Sequence, residues 1–336
     1  MKFTLFASVA AFALTATPGF AQDAPAADDS EAPGEIVVTA QKRSERLQDV
    51  PVAVSVGSGN VLEAQGGANI ENAQYLVPTL NFRKSGTTIN QSLFLRGVGT
   101  STFSIAGEPS VSTVLDGVVY SRAGEAFGDL VDIERIEVLR GPQGTLFGKN
   151  ASAGVVNIVS RAPTDQFEGS VEASFFSKSE YRGRVVLNLP MGEKVASRIT
   201  GFYGEYNGNI TNLAIGKKVN GYKHYGARAT IKAEPTDTLT LTLIGDYRKS
   251  RDNCCAEVIG TQPTGLGALA LAGIQFKGDK TRTIRQNLVT RTNERSTGVS
   301  LQADLEVGDH VLTSITAYRN YKNTEIRDGD FVGQAF

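Results

Sequence analysis

Cysteine, histidine and tryptophan are almost missing from this sequence: two Cys, two His and no Trp in 336 residues, with a formal net charge of −1. Cys254 and Cys255 are adjacent in SRDNCCAE, so they cannot clamp distant strands together. They are compatible with a vicinal disulfide in an extracytoplasmic loop, with paired thiols on a metal, or with a local staple that does no chemistry, the simplest of the three. His224 and His310 stand far apart, and no cluster with metal-ligand spacing and no Ser-His-Asp or Cys-His set is suggested. No enzyme, no metal and no cofactor are therefore expected. The lack of a basic excess argues against nucleic acid as a partner. After residue 21 no apolar run approaches the ~20 residues of a membrane helix. A membrane crossing would have to use β-strands, because only helices and closed barrels satisfy their backbone groups in lipid.

The chain starts MKFTLFASVAAFALTATPGFAQ, with Lys2, a short apolar core from Phe3 to about Ala16, Pro18-Gly19 and the small-x-small triplet Gly19-Phe20-Ala21. This reads as a signal peptide, residues 1–21, cleaved after Ala21. Residues 22–34, QDAPAADDSEAPG, hold four acids and two prolines and no large apolar side chain, a composition expected to be disordered. EIVVTAQKR (35–43) follows. Its β-formers predict a strand, with no hairpin partner visible nearby.

From 44 to 163 short apolar runs alternate with Gly-centred turns. VPVAVSV, SLFLRGVG, VSTVLDGVVYSR, IERIEVLRGPQG and AGVVNIVSR read as strands, and NIENAQYLVP as a short helix with an Asn start and a Pro stop. Together they predict an α+β domain of a usual size, roughly 110 residues. Asp116-Gly117 reads as a turn. GPQGTLFGKN falls short of a phosphate-binding loop: Gln143 stands where the first Gly is needed, and Asn150 follows Lys149.

From 164 to 336 the texture is amphipathic. In VSLQADLEV, Val299, Leu301, Ala303, Leu305 and Val307 fall on one face; LTLTLIGDY alternates with one misfit, Ile244. About seven strands of roughly ten residues are expected, the length that crosses a bilayer when tilted. After the first hairpin, tight connections alternate with long ones. An outer-membrane barrel has that asymmetry, with tight turns in the periplasm and long loops outside. Tyr203, Tyr206, Tyr247, Tyr318 and Tyr321, near strand ends, suit an interfacial aromatic girdle.

In this order the segments resemble the TonB-dependent outer-membrane receptors. EIVVTAQKR looks like the TonB box, and SLFLRGVGT, VSTVLDGVVYSR and IERIEVLRGPQGTLFGKNASAGVVNIVSR are similar to successive plug segments. The resemblance implies a plug inside a barrel of about 22 strands, in the outer membrane of a Gram-negative cell. It implies an extracellular ligand, by default a ferric siderophore, and TonB with its inner-membrane proton-driven motor as partner. Ile36, Val37, Val38, Thr39 and Ala40 would add to a sheet edge of that partner by β-augmentation. Arg96 and Arg140, each at a strand end before Gly, match plug arginines that pair with acids on the barrel wall, which makes them latch candidates. Seven strands leave unpaired edges that lipid does not tolerate. The chain is thus read as the N-terminal part of a receptor, not expected to transport alone. The alternative is a stand-alone exported plug-like binding protein without transport activity.

Overall fold

The computed structural model describes residues 36–66, 69–83, 91–100, 107–126, 128–177, 179–261, 264, 271 and 273–329. The expected signal peptide (1–21) and acidic leader (22–34) lie outside them. The strand read without a partner has one. β1 (Val37–Val38) pairs antiparallel with β2 (Glu45–Arg46), Val37 opposite Arg46 and Val38 opposite Glu45. The turn between them is closed by the Lys42 N–H donating to the Thr39 carbonyl at 2.9 Å, with Lys42 at φ 61°. Glu and Arg carry no β-propensity, so this pairing left no composition signal.

The next elements form a mixed unit. They are β3 (Val54–Ser58), α1 (Gly59–Ala64), a 3-10 turn (Ile70–Tyr75), β4 (Leu80–Arg83), β5 (Ser92–Leu95), β6 (Val98–Gly99), β7 (Val111–Leu115), β8 (Val118–Val119), α2 (Ala123–Ala126), β9 (Ile133–Arg140), α3 (Gly144–Phe147) and β10 (Gly154–Ser160). The helix expected at NIENAQYLVP is thus a 3-10 segment, and at its start the Asn69 backbone N–H donates to Asn72 Oδ1 at 3.4 Å. Five strands make one sheet in the order β3-β9-β10-β7-β8, where β10 runs parallel to β7 and every other pair is antiparallel. β4, β5 and β6 form a second small sheet. The β7–β8 hairpin turns on Asp116 (φ 46°) and Gly117 (φ 78°), the two positive φ values of a type I′ turn. β9 and β10 bury apolar residues on both faces because both are covered. Ile136, Val138, Val156 and Ile158 pack with Leu62, Ile70, Val77, Leu80 and Leu95 on one side. Leu139 and Val155 pack on the other with Val38, Ala40, Val114, Phe147 and Ala151. The N-terminal segment therefore completes the second face of the sheet.

Seven long strands follow in sequential antiparallel order: β11 (Glu168–Phe176), β12 (Glu180–Pro190), β13 (Val195–Tyr206), β16 (Tyr222–Thr236), β17 (Leu239–Asp252), β19 (Arg291–Val307) and β20 (His310–Ile326). The expected count of seven is met, and β19 and β20 reach 17 residues each. Among the described residues β11 and β20 each have one neighbour, so this sheet is open. β14 (Ile210–Asn212), β15 (Lys217–Val219) and β18 (Thr283–Ile284) make a small sheet within the long connections 207–221 and 253–290, around Ile210, Val219 and Ile284. Cys254 and Cys255 form a disulfide in the second of these. The tight turns 191–194, 237–238 and 308–309 sit together at the opposite end of the strands.

Register separates the two faces, because paired residues project to the same side. One face carries Val171, Val185, Ile199, Leu243, Val299, Leu301 and Leu312, all exposed although apolar. The other carries Arg184, Arg198, Thr200, Arg228, Arg248, Ser296 and Arg319 and faces the mixed unit. Ile244, the misfit in LTLTLIGDY, lies on this inward face and is buried. Tyr203, Tyr247 and Tyr318 are exposed on the outward face, but Tyr318 sits midway along β20, opposite Val299, and not near its end. Tyr206 and Tyr321 also depart from the expected girdle: Tyr206 opposes Tyr222 on the inward face, and the Tyr321 hydroxyl donates to Glu294 at 3.1 Å.

Candidate functional sites: a docked N-terminal strand and a charged seam

Glu137 and Asn157 are register partners in the middle of the apolar strands β9 and β10, and Glu137 has no solvent exposure. A buried carboxylate requires donors, and here they arrive from three directions. The Thr39 backbone N–H donates to Oε1 at 2.8 Å, Arg135 Nε donates to the same oxygen at 2.8 Å, and Asn157 Nδ2 donates to Oε2 at 3.0 Å. The Thr39 hydroxyl lies 3.2 Å from Oε1. Val38 and Ala40, on either side of Thr39, are fully buried, whereas Ile36 and Val37 are exposed. The segment read as a partner-binding strand is therefore docked: two apolar anchors straddle a charge-assisted hydrogen bond to a buried acid.

The second site is the contact between the mixed unit and the inward face of the long sheet. Its polarity is consistent: acids on the mixed unit meet cations on the strands. Arg198 grips Asp132 with two bonds of 2.6 and 2.7 Å, both residues being buried, and the Thr200 hydroxyl adds a third at 3.0 Å. Arg228 pairs with Asp116, which the Ser160 N–H also holds at 2.9 Å. Arg184 pairs with Glu63. Glu125 accepts from Ser296 Oγ at 2.7 Å and from Arg319 Nε at 3.0 Å, while the Arg319 guanidinium lies 4.5 Å over the Tyr120 ring. His224 bridges Asp129 at 3.1 Å and the strand residue Asp252 at 2.8 Å. Burial pushes the Asp129 carboxyl up, but His224 and Arg248 outweigh it and hold the group below its ordinary value. Burial also pushes the Tyr120 phenol up to about 12, so the ring under Arg319 stays neutral.

The two proposed latch arginines take no part in this seam. Arg96 is exposed at φ 51° in the turn after β5, and among the described residues it has no ion pair. Arg140 is half-buried and directs Nε to the Ala53 carbonyl at 3.4 Å. The observed seam has the reverse polarity, with arginine on the sheet and acid on the domain it holds. The residues missed from the sequence did leave a signal: β12, β13, β16, β17 and β20 each carry an arginine at an inward position, Arg184, Arg198, Arg228, Arg248 and Arg319. Single strands could not show which acids they would meet.

Comparison with known proteins supplies a family. The TonB-dependent Receptor Plug Domain family matches residues 46–155. The pesticin receptor of Yersinia pestis is 31% identical over 198 residues, covering 58% of this chain and 28% of the relative. The solved structure of the ferric yersiniabactin uptake receptor FyuA from Yersinia pestis aligns with a TM-score of 0.70 at 23% identity, over 82% of this chain and 41% of that one. The chain carries the plug domain of the TonB-dependent receptors. The mixed unit is that plug, and the open sheet has the fold of the barrel wall in these outer-membrane receptors. The ferripyoverdine receptor of Pseudomonas aeruginosa, solved with ferripyoverdine bound, has the same fold, with a TM-score of 0.68 at 16% identity over 90% of this chain and 39% of that one. The catecholate siderophore receptor Fiu of Escherichia coli is 28% identical over 162 residues, 47% of this chain and 20% of the relative. The chain thus spans under a third of the length of these curated relatives.

Proposed function

We propose that the chain serves energised uptake of a scarce extracellular solute, a ferric siderophore, with residues 35–43 as the TonB box and 44–163 as the plug that gates the barrel begun at 164. The observation that carries this reading is the docking of Val37–Ala40 onto the plug through Thr39 and Glu137. A strand of β-formers held by two buried anchors and one acid-centred network can leave the plug and pair with another sheet edge. Pulling it would act directly on β9 and β10, the central strands of the plug. The names of the relatives, which include yersiniabactin, catecholate and ferripyoverdine receptors, support iron chelates as the cargo class. Arg96 and Arg140 stay assigned as plug residues that reach wall acids on strands other than the seven described.

The test is deletion of residues 36–40 at the native locus. Uptake of radiolabelled ferric siderophore should fall to the level of a receptor-null strain, while cell-surface binding of the chelate is retained. Undiminished uptake would overturn the assignment of the box.

A further inference from the structure

The two cysteines of the chain are neighbours, and their disulfide closes a two-residue bend just after β17. A crosslink stabilises through the freedom it removes from the unfolded chain, and that freedom grows with the length of chain enclosed. Joining neighbours removes little, so stability does not account for this bond. Its surroundings set it apart. Residues on both sides of the pair are fastened to one point on the other long connection, Asn220-Gly221. The Asn220 N–H donates to the Asn253 carbonyl and the Asn253 N–H to the Gly221 carbonyl, each at 3.1 Å. The Gly221 N–H also donates to the Asn253 side-chain oxygen. On the far side of the bend, the Ala256 N–H donates to Asn220 Oδ1 at 2.6 Å, and Asn220 Nδ2 donates to the Ala256 carbonyl at 3.5 Å. Asn220 does this at φ 65°, a conformation that asparagine adopts more readily than most residues. Beyond the clasp, Ala256 and Val258 pack on the small core of Ile210, Val219 and Ile284. Cys254 and Cys255 are only half-buried, so solvent reaches the bend between its two fastened ends.

We propose that Cys254–Cys255 is an exchange site for small thiols, and that its opening loosens the joint between the two long connections. The chain has no third cysteine to attack the bond, so the reductant is a low-molecular-weight thiol from solvent. Its thiolate attacks one Sγ, the sulfur–sulfur bond breaks, and the other sulfur leaves as a thiolate that takes up a proton. A second small thiolate then attacks the small molecule's sulfur in the mixed disulfide, and the remaining cysteine leaves and is protonated. Two small thiols have become one small disulfide, and the chain has gained two thiols. In the closed form the ring holds residues 254 and 255 in one turn. That turn sets the spacing at which Asn220 reaches both backbone groups of Ala256 while Asn253 stays paired with 220–221. Opened, the two residues regain backbone freedom, and each bond of the clasp must order them anew.

The test uses the full chain in detergent micelles, equilibrated with reduced and oxidised glutathione over a range of ratios. Maleimide labelling with intact mass reads the cysteines, and deuterium exchange reads the backbone. In the folded chain, millimolar reduced glutathione should convert the pair to two labelled thiols, and glutathione disulfide should restore the bond. The Gly221 and Ala256 amides should exchange roughly tenfold faster in the reduced form, the weight of about one residue's backbone freedom, with Val156 in the plug core unchanged. Cys254→Ser with Cys255→Ser should exchange at the reduced-form rate at every ratio, and Asn220→Ala should exchange fast at Ala256 in both forms. A pair that stays unlabelled until the chain unfolds would overturn the proposal. So would a reduced form whose Gly221 and Ala256 amides exchange no faster, which would make the disulfide an inert staple. A tenfold response that survives Asn220→Ala would place the joint elsewhere and overturn it too. If the serine variant fails to fold, the wild-type titration decides alone.

Discussion

With no access to water, Glu137 depends on Thr39, Arg135 and Asn157 for every hydrogen bond it accepts. Its replacement by Ala removes the acceptor of the Thr39 amide and frees the strand at its centre. A hydrogen bond to a charged group is worth about 1.5–3 kcal/mol. Exchange of the Thr39 amide with deuterium should therefore speed up by roughly tenfold or more, and unchanged protection would show that the apolar anchors alone hold the strand. In the seam, Asp132→Ala leaves Arg198 buried without its bidentate partner, a loss of about 3–5 kcal/mol. Urea unfolding in micelles should show this loss for the single variant and a smaller one for Asp132→Leu with Arg198→Met, which removes both charges. Asp129 adds a pH dependence. Its carboxyl is held below the ordinary 3.8 when docked against His224, with Arg248, Asp252 and Glu294 around the same imidazole. The undocked acid binds its proton first, so this contribution is complete above the ordinary value and lost as pH falls through the docked one. Cysteine crosslinking of plug to sheet should decline over that acid range, and Asp129→Asn should flatten the decline.

At the scale of elements, the alternation of the wall strands was plain in the sequence and fixes their orientation. Leu301 faces outward in the middle of β19, whereas Ser300 beside it faces β17 and β20 from the inward side. Leu301→Arg should destabilise the wall by about 2–4 kcal/mol, the cost of an arginine at the bilayer midplane. Ser300→Arg should cost far less, since it enters a polar interior; equal losses in membrane-reconstituted unfolding would mean the faces are misassigned. The plug strands and the Asp116-Gly117 turn were legible too, because β-formers and turn residues act over a few positions. What stayed hidden acts at a distance. Asp132 and Arg198 are 66 residues apart, Glu125 and Arg319 are 194 apart, and no local period connects them. The β1–β2 hairpin was hidden for another reason: its second strand is Glu45–Arg46, which reads as loop. The 3-10 form of Ile70–Tyr75 is set by tertiary packing of Ile70, Ala73 and Val77, not by helical spacing.

For the whole molecule, the two sites describe one device: a plug held to its wall by polar pairs, and a strand that closes one face of that plug. The wall is held by polar pairs and the strand by two small apolar anchors and one acid-centred network, so each can be broken by a directed pull without unfolding the plug core around Ile136, Val156 and Ile158. A partner that takes the strand, as proposed above, would compete with Glu137 for it, and its apparent affinity would be reduced by the fraction of time the strand is free. The direct measurement is calorimetric titration of the periplasmic domain of TonB into the chain in detergent micelles, for the wild type, the deletion of residues 36–40, and Glu137→Ala. Measurable binding to the wild type is expected, none to the deletion, and binding to Glu137→Ala tighter by roughly tenfold. Equal affinity for the wild type and the deletion would contradict the role given to the strand.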